Sequence, residues 1–412
     1  MSQGDPLSPS DLHASDTVDT IVLNLNMHAL PASGKHTGAC AIRILHLANH
    51  CHEIGNGIMN VAVDLACLQA TGGHNVFFAS AGGSYVDLIT QYGVSHLNLD
   101  QQWRQPVMLV QSLFRLRSIV EQTRPDIVHA HMMTGAMLAA AARVMSRFRL
   151  ITTVHNEFQR SSILMGVGDR VIAVSTAVAE HLQRRWLPDR KIRVVRNGPL
   201  GSPRRGLSAD ATATVTLARP AIVTLAGMYH RKGIGELITS FSRIGAEVAD
   251  ASLYIIGDGP NRAEFEAQAR TTPHADRIHF LGFCREPAPL LAQADVFVLA
   301  SRKDPMPLVI PEAREAGCAI VATNVDGIPE GLDHGKAGIL VPPRDPNALA
   351  VAIIGLLTNP DKLAAWRERA RSNLDWLHVE RTALETMHVY EEALGLIRRP
   401  PQRVSGVSLS AP

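Results

Sequence analysis

The chain has 412 residues, 46% of them apolar and 19% charged, which is enough for two cores and close to the balance of a soluble globular protein. Its net charge is only +2, with acids and bases interleaved, so bulk electrostatics gives no case for a nucleic-acid partner. Five scattered cysteines with no C-x-x-C pair argue against a disulfide framework or a structural zinc site and suit a reducing compartment.

Residues 1–40 are rich in Ser, Asp, Pro and His and lack periodicity, so they read as a flexible arm, with Ile21-Val22-Leu23 as a local pairing candidate. The first residues show neither a basic nor an apolar segment of the secretory kind, and no run approaches about 20 apolar residues. The expected location is therefore cytoplasmic, with the inner face of a membrane as a further option. From Ile42 onward, strand-like apolar runs at 42–47, 74–80, 126–131, 150–155, 170–175 and 192–196 alternate with helical patterns at 57–71, 107–123, 134–147 and 176–186. Such alternation implies a parallel sheet covered by helices on both faces. Pro199, Gly201, Pro203 and Gly206 then break the pattern. Strand runs resume at 221–225, 252–257, 278–283, 295–300, 319–323 and 338–341, and helical patterns at 346–357, 361–373 and 379–397 close the chain.

The expected architecture is α/β, with two Rossmann-like domains facing a cleft. The expected boundaries are an arm at 1–40, a first domain at 41–205, a linker at 206–220 and a second domain at 221–375. A last helix at 376–398 and a disordered tail at 399–412 complete the chain. No G-x-G-x-x-G follows the first strand and no Walker A pattern occurs, which disfavours a dehydrogenase or a P-loop enzyme.

Chemistry-bearing residues gather at the carboxyl ends of the predicted strands, the edge where open parallel sheets bind ligands. Asp304 lies in the loop after the 295–300 run, and Glu312 follows eight residues later in the first turns of a helix. Ionised carboxylates accept hydroxyl hydrogen bonds and suit a diol. Between them, the backbone N–H groups of Met306 and Leu308 can line a ligand, whereas Pro305 and Pro307 offer none. Lys232, in Gly227-Met228-Tyr229-His230-Arg231-Lys232-Gly233, stands just ahead of a helix and can reach a phosphate; Arg231 is a second candidate for that charge, and spacing does not choose it. Gly57, in Gly55-Asn56-Gly57-Ile58, opens the first helix and lets a backbone approach closely. His155 ends a first-domain strand; His129 and His131 are poorer candidates. His46, His50 and His52 lack the spacing of a helical metal pair, and no metal site is expected.

In their order these residues resemble the family-4 retaining glycosyltransferases of the GT-B fold, over about residues 41–395 and more specifically in the second half. The family's Glu-x7-Glu pair appears as Asp304-x7-Glu312, and its D-x-G-G-x-P-E loop as Asn324-Val325-Asp326-Gly327-Ile328-Pro329-Glu330. The shorter first acid, followed by Pro305, matches a subset of the family. The family's G-R…K-G loop keeps Lys232 and Gly233 but has Met228 at the arginine position and is one residue shorter. Its Gly-Gly pair is Asn56-Gly57, and its common Phe-Gly is missing after Asp304.

The resemblance implies a retaining, metal-independent transfer of a hexosyl group from a UDP- or GDP-sugar to a glycan or lipid-linked acceptor, with no cofactor. Bacterial surface polysaccharide or lipopolysaccharide biosynthesis is its natural setting. It implies that Asp304 and His155 contact the donor sugar, that Lys232 grips the diphosphate, and that Glu312 binds ribose hydroxyls. Gly282, Phe283 and Cys284 would meet the base. Local arginine clusters (Arg143, Arg147, Arg149; Arg184, Arg185; Arg204, Arg205) suggest peripheral contact with anionic lipid. Two other readings stay open: a nucleotide-sugar 2-epimerase of the same fold, and a catalytically silent nucleotide-sugar-binding protein.

Overall fold

The computed structural model of the chain describes residues 41–101, 106–156, 160–185, 187–205 and 215–397. The expected arm with Ile21-Val22-Leu23, the 206–214 part of the linker and the expected tail lie outside them. Seven strands form the first sheet: β1 (Arg43–Leu47), β2 (Asn75–Ser80), β3 (Ser95–Asn98), β4 (Ile127–Ala130), β5 (Arg149–Val154), β6 (Arg170–Ala173) and β7 (Ile192–Val194). Six form the second: β8 (Ala221–Leu225), β9 (Ser252–Ile256), β10 (Ile278–Gly282), β11 (Val296–Leu299), β12 (Ala319–Thr323) and β13 (Ile339–Val341). Every pairing is parallel, in the orders β3-β2-β1-β4-β5-β6-β7 and β10-β9-β8-β11-β12-β13. Two Rossmann-like lobes result, and the carboxyl ends of their strands face a shared cleft.

Side-chain alternation explains why each sheet is apolar on both faces. In β1, Leu45 and Leu47 enter one core with Leu116, Val128 and Leu150. Ile44, one step out of phase, enters the opposite core with Met59, Ile127 and Ile151. The second sheet splits likewise: Ile222 and Val298 pack beneath the helix Ile234–Glu247, while Val223 and Phe297 pack beneath the helix Val309–Ala316. The one strand absent from the sequence expectation is β3. Its Ser-His-Leu-Asn carries a single apolar residue, and as an edge strand it pairs only with β2.

Both sheets reverse strand order at their first strand. β1 lies between β2 and β4, and β8 lies between β9 and β11. Loops leave in opposite directions at such a point and open a crevice beyond the strand ends. The turn bearing Lys232 follows β8, and the loop bearing Asp304 follows β11, so these two residues flank the crevice of the second sheet. In the first sheet the equivalent crevice lies between the turn after β1 and His131 after β4.

The two lobes belong to one compact unit. Its closing helix, Val379–Leu394, returns to the first lobe: Met387, Val389 and Tyr390 are buried in the same core as Ile44 and Met59. The segment joining the lobes is clamped to the first-lobe helix Gly57–Thr71. There Asp64, 2% exposed, accepts from Ser202 Oγ at 2.8 Å and from Arg204 Nε at 2.8 Å and Nη2 at 3.0 Å. A buried carboxylate is tolerated only when paired in this way. Among the described residues, no single helix is long and apolar enough to cross a membrane.

Candidate functional site

On the second lobe, three loops are tied together at the crevice. Gly233 adopts φ 68° and ends the short turn His230–Lys232, and a Cβ there would fall 1.9 Å from the Ala300 carbonyl oxygen. Glycine is thus required for the close approach of the loops after β8 and β11. Arg302 N–H donates to the Arg231 carbonyl at 2.8 Å, and Arg302 Nε reaches Glu236 Oε1 at 2.6 Å. The third loop, after β12, joins through Asp326, whose Oδ2 accepts Asp304 N–H at 2.7 Å, and through Gly327 N–H donating to the Asp304 carbonyl at 3.1 Å. Burial raises the Asp326 carboxyl above its usual range, with the Asp304 N–H and Lys303 opposing that.

This frame brings Lys232 and Asp304 into contact. Lys232 Nζ lies 2.6 Å from Asp304 Oδ2, which also accepts from Ser301 Oγ at 3.1 Å. The two side chains are only 15% and 6% exposed, so the pair sits where water screens charge poorly. Among the described residues, no hydrogen bond occupies Asp304 Oδ1. Arg231 goes elsewhere, stacking its guanidinium 5.5 Å from the ring centre of Tyr229 at the surface. Met228, at the family's arginine position, is fully buried in the second-lobe core.

Glu312 lies in the first turn of the helix Val309–Ala316, half-buried and close to Arg204 and Arg205. Desolvation pushes its carboxyl up to about 7, the arginines pulling the other way. Among the described residues no hydrogen bond or ion pair reaches that carboxyl, although Glu315 on the same helix pairs with Arg205 at 2.6 Å. An acid left part-buried without a partner is poised to accept one.

The first lobe meets this edge closely. A Cβ on Gly55 would touch the Phe283 ring at 3.2 Å, and one on Gly57 would touch Leu308 at 3.5 Å. Asn56, between them, caps the helix Gly57–Thr71 by accepting from Ile58 N–H at 3.1 Å. Met306 packs into the first-lobe core and its carbonyl accepts from Asn197 Nδ2 at 3.5 Å. Arg285, after Cys284, pairs with Glu53 at 2.8 Å. Gly282 ends β10 at φ 74°, and its carbonyl accepts Gly257 N–H at 2.7 Å. His155 follows β5, between the ends of β4 and β6 on the same edge. Burial pushes its imidazole down to about 3, so it is neutral at ordinary pH.

Sequence reasoning assigned no role to Glu330 beyond its place in a motif. The structure makes it the tie between the lobes: its carboxylate accepts Thr176 N–H at 2.7 Å and Thr176 Oγ1 at 3.0 Å, and pairs with Arg196. Thr176 begins the helix Thr176–Arg184, so the acid also meets a positive helix end. Nothing local in Ile328-Pro329-Glu330 foretells this, because the partners belong to the other lobe.

Comparison with known proteins accounts for both lobes. The Glycosyltransferase Family 4 model matches residues 55–198, and the Glycosyl transferases group 1 model matches residues 219–359. The chain belongs to the family-4 glycosyltransferases. It is 26% identical to N-acetyl-alpha-D-glucosaminyl L-malate synthase of Bacillus anthracis, over 79% of this chain and 90% of that one. It is 29% identical to glycogen synthase of Mycobacterium tuberculosis, over 70% of this chain and 74% of that one. A phosphatidyl-myo-inositol mannosyltransferase of Mycolicibacterium smegmatis is 25% identical over 86% of this chain and 95% of its own. In fold the chain resembles a Rickettsia africae glycosyltransferase, with a TM-score of 0.72 at 19% identity, covering 86% of this chain and 99% of that one. Anabaena HepE in complex with UDP and glucose gives a TM-score of 0.71 at 18% identity, covering 84% and 99%. As a family-4 glycosyltransferase, the protein carries the two-lobed GT-B architecture, and its second lobe holds the Lys232, Asp304 and Glu312 set.

Proposed function

We propose that the protein is a retaining, metal-independent hexosyltransferase that takes a sugar from a UDP- or GDP-sugar and places it on a glycan or lipid-linked acceptor, in bacterial surface polysaccharide or lipopolysaccharide assembly. The observation that carries this reading is the Lys232–Asp304 pair at the second sheet's switch point, with the unpartnered Glu312 carboxyl one helical turn beyond the same loop. Glu312 accepts the ribose hydroxyls. Lys232 faces the diphosphate and supplies, with the backbone N–H groups of Met306 and Leu308, the positive charge that a metal would otherwise bring. Asp304 holds the Lys232 ammonium through Oδ2 and offers Oδ1 to a sugar hydroxyl. Phe283 and its neighbours Gly282 and Cys284 border the base, beside Gly55 of the other lobe, and Gly57 allows the first helix to approach.

In the reaction the bond from the anomeric carbon to the phosphate oxygen breaks, and a bond from that carbon to the acceptor oxygen forms on the same face. The acceptor's proton passes to the departing diphosphate, whose growing charge Lys232 stabilises. Relatives named for a lipid, a glycan and a small-acid product support transfer and leave the acceptor class broad. The test is a donor screen with UDP- and GDP-sugars, with and without glycan and polyprenyl-linked acceptors. Nucleotide release that depends on acceptor is expected. Sugar interconversion without acceptor would replace transfer by 2-epimerisation, and binding without either reaction would leave a silent nucleotide-sugar-binding protein.

Peripheral membrane contact at the cytoplasmic face is supported by one side of the first lobe. The helix Pro106–Thr123 exposes Val110 and Phe114 beside Arg115, and the neighbouring segments expose Val144, Ile163, Arg147 and Arg149. Apolar side chains amid arginines suit an anionic bilayer interface. Phe114→Asp should lower co-sedimentation with vesicles containing anionic lipid by about tenfold, given the burial a phenyl ring gains. Unchanged partition would remove this face from the membrane.

A further inference from the structure

Four histidines, a glutamine and a tyrosine form a continuous hydrogen-bonded chain in the first lobe, buried except at His155, which is half-buried at its end. Period-two alternation puts Ile44 and His46 of β1, Ile127 and His129 of β4, and Ile151 and Thr153 of β5 on one face, and His131 and His155 extend β4 and β5 in the same phase. His46 and His129 are register partners across β1 and β4. Above that face lie Gln69 of the helix Gly57–Thr71 and Tyr390 of the helix Val379–Leu394. One ring nitrogen from each of His46, His129 and His131 lies within 4.8 Å of the other two, as a metal triad would require. Two facts favour hydrogen bonds over a metal. His129 has a hydroxyl 2.6 Å from each nitrogen, Tyr390 at Nδ1 and Thr153 at Nε2. His46 Nδ1 and His131 Nε2 are 3.0 Å apart, a hydrogen-bond distance, whereas two nitrogens on a tetrahedral zinc stand about 3.3 Å apart.

Read as hydrogen bonds, the chain has a direction. Gln69 Oε1 lies 2.7 Å from His46 Nε2, and its Nε2 donates to the Tyr390 hydroxyl at 3.4 Å. With the Gln69 amide set so that its oxygen faces His46, and since a carbonyl oxygen only accepts, His46 carries its proton on Nε2 and accepts at Nδ1. His131 must then donate from Nε2 to His46 and accept at Nδ1, where His155 Nε2 lies 3.4 Å away. Tyr390 accepts from Gln69 and donates to His129 Nδ1, so His129 donates from Nε2 to Thr153. Each ring is neutral and each shared proton is assigned once.

We propose that Gln69, acting through His46 and His131, fixes His155 as the Nε2–H tautomer, so that its Nδ1 lone pair is what it offers the cleft. This rests on the transferase reading only in naming the ligand: His155 would accept a hydrogen bond from a donor-sugar hydroxyl, and a sugar lacking that hydroxyl would leave a half-buried lone pair unmet. Gln69 and His131 are then positioning residues for His155, and Tyr390 anchors the far end of the chain in the closing helix.

The test is 15N–1H correlation of the full chain labelled with 15N-histidine, with His155→Gln identifying the His155 signal. A protonated Nε2 and bare Nδ1 are expected in the unaltered protein, and a protonated Nδ1 overturns the proposal without any variant. In Gln69→Leu, and separately in His131→Phe, the signal should move toward a mixture of tautomers. Turnover at saturating donor should fall roughly tenfold, while affinity for the free nucleotide stays within about twofold. An unmoved His155 signal in either folded variant also overturns it. If no sugar nucleotide is turned over by the unaltered protein, the transferase reading fails and the tautomer assignment stands.

Discussion

Lys232→Met should lower turnover at saturating donor by about 10²–10³-fold while weakening nucleotide-sugar binding far less. The ammonium is 15% exposed and pinned by Asp304 Oδ2 at 2.6 Å, so it is held in place before the reaction begins. A ground-state diphosphate already carries its charge in the bound donor, but negative charge on the bridging oxygen grows only as the anomeric bond breaks. In the proposed pose, a fixed cation beside that oxygen would therefore stabilise the transition state more than the bound substrate. Methionine keeps the aliphatic stem and removes only the charge. It also leaves the Asp304 carboxyl, 6% exposed, with Ser301 alone, which costs stability of about 1–3 kcal/mol. The double variant Lys232→Met/Asp304→Asn restores the balance of charge and should recover melting temperature without recovering turnover. Steady-state kinetics with a calorimetric donor Kd distinguishes the cases. A loss confined to donor affinity would make Lys232 a ground-state anchor, and no loss in either would remove it from the site.

The residues legible in the sequence were those whose role depends on local chain geometry. Apolar runs such as Ile222-Val223-Thr224-Leu225 and Val296-Phe297-Val298-Leu299 gave twelve of the strands because strands buried on both faces leave no other signature; β3 escaped because its edge position asks for little burial. The placement of Lys232 and Asp304 in the loops after strands, and of Glu312 in the helix that follows, was readable for the same reason. What it could not contain was contact between segments far apart in the chain. Lys232 is the leading candidate by motif and Arg231 a second that spacing does not decide; Lys232 pairs with Asp304 at the crevice while Arg231 is exposed beside Tyr229, in a turn that Gly233 at φ 68° brings against Ala300. Glu330 ties to Thr176 and Arg196, and Arg204 to Asp64, across gaps of more than a hundred residues. His129 and His131 looked weaker than His155 in isolation. Their shared phase with His46 and His155 on neighbouring strands was a signal in the sequence, but it needs the strand register to be read.

Glu312→Gln should abolish the pH dependence of donor affinity expected of the unaltered protein if Glu312 binds the ribose. With its carboxyl pushed up to about 7, Glu312 is mostly protonated at pH 6 and mostly ionised at pH 8. The ionised form accepts from the two ribose hydroxyls through both oxygens and makes charge-assisted, stronger hydrogen bonds, whereas the protonated form keeps one oxygen as a donor. Donor Kd should therefore tighten by up to about tenfold between pH 6 and pH 8, because binding carries the cost of losing the proton below the pKa. An intact nucleotide-diphosphate sugar is the right probe, since it has no terminal phosphate titrating in that window. In Glu312→Gln the affinity should be flat with pH and weaker at pH 8 by about 1–3 kcal/mol, the worth of hydrogen bonds to a charged group. Stability without ligand should move the opposite way. A carboxyl whose folded pKa is raised from 4.5 to about 7 contributes stability that is complete below about 4.5 and is lost as pH rises through about 7. At pH 8 the unliganded Gln variant should then be the more stable by on the order of 1–3 kcal/mol, and the difference should vanish toward pH 4.5. Denaturation and donor titrations across that range give both quantities, and a pH-dependent affinity that survives in Glu312→Gln would place the ribose elsewhere.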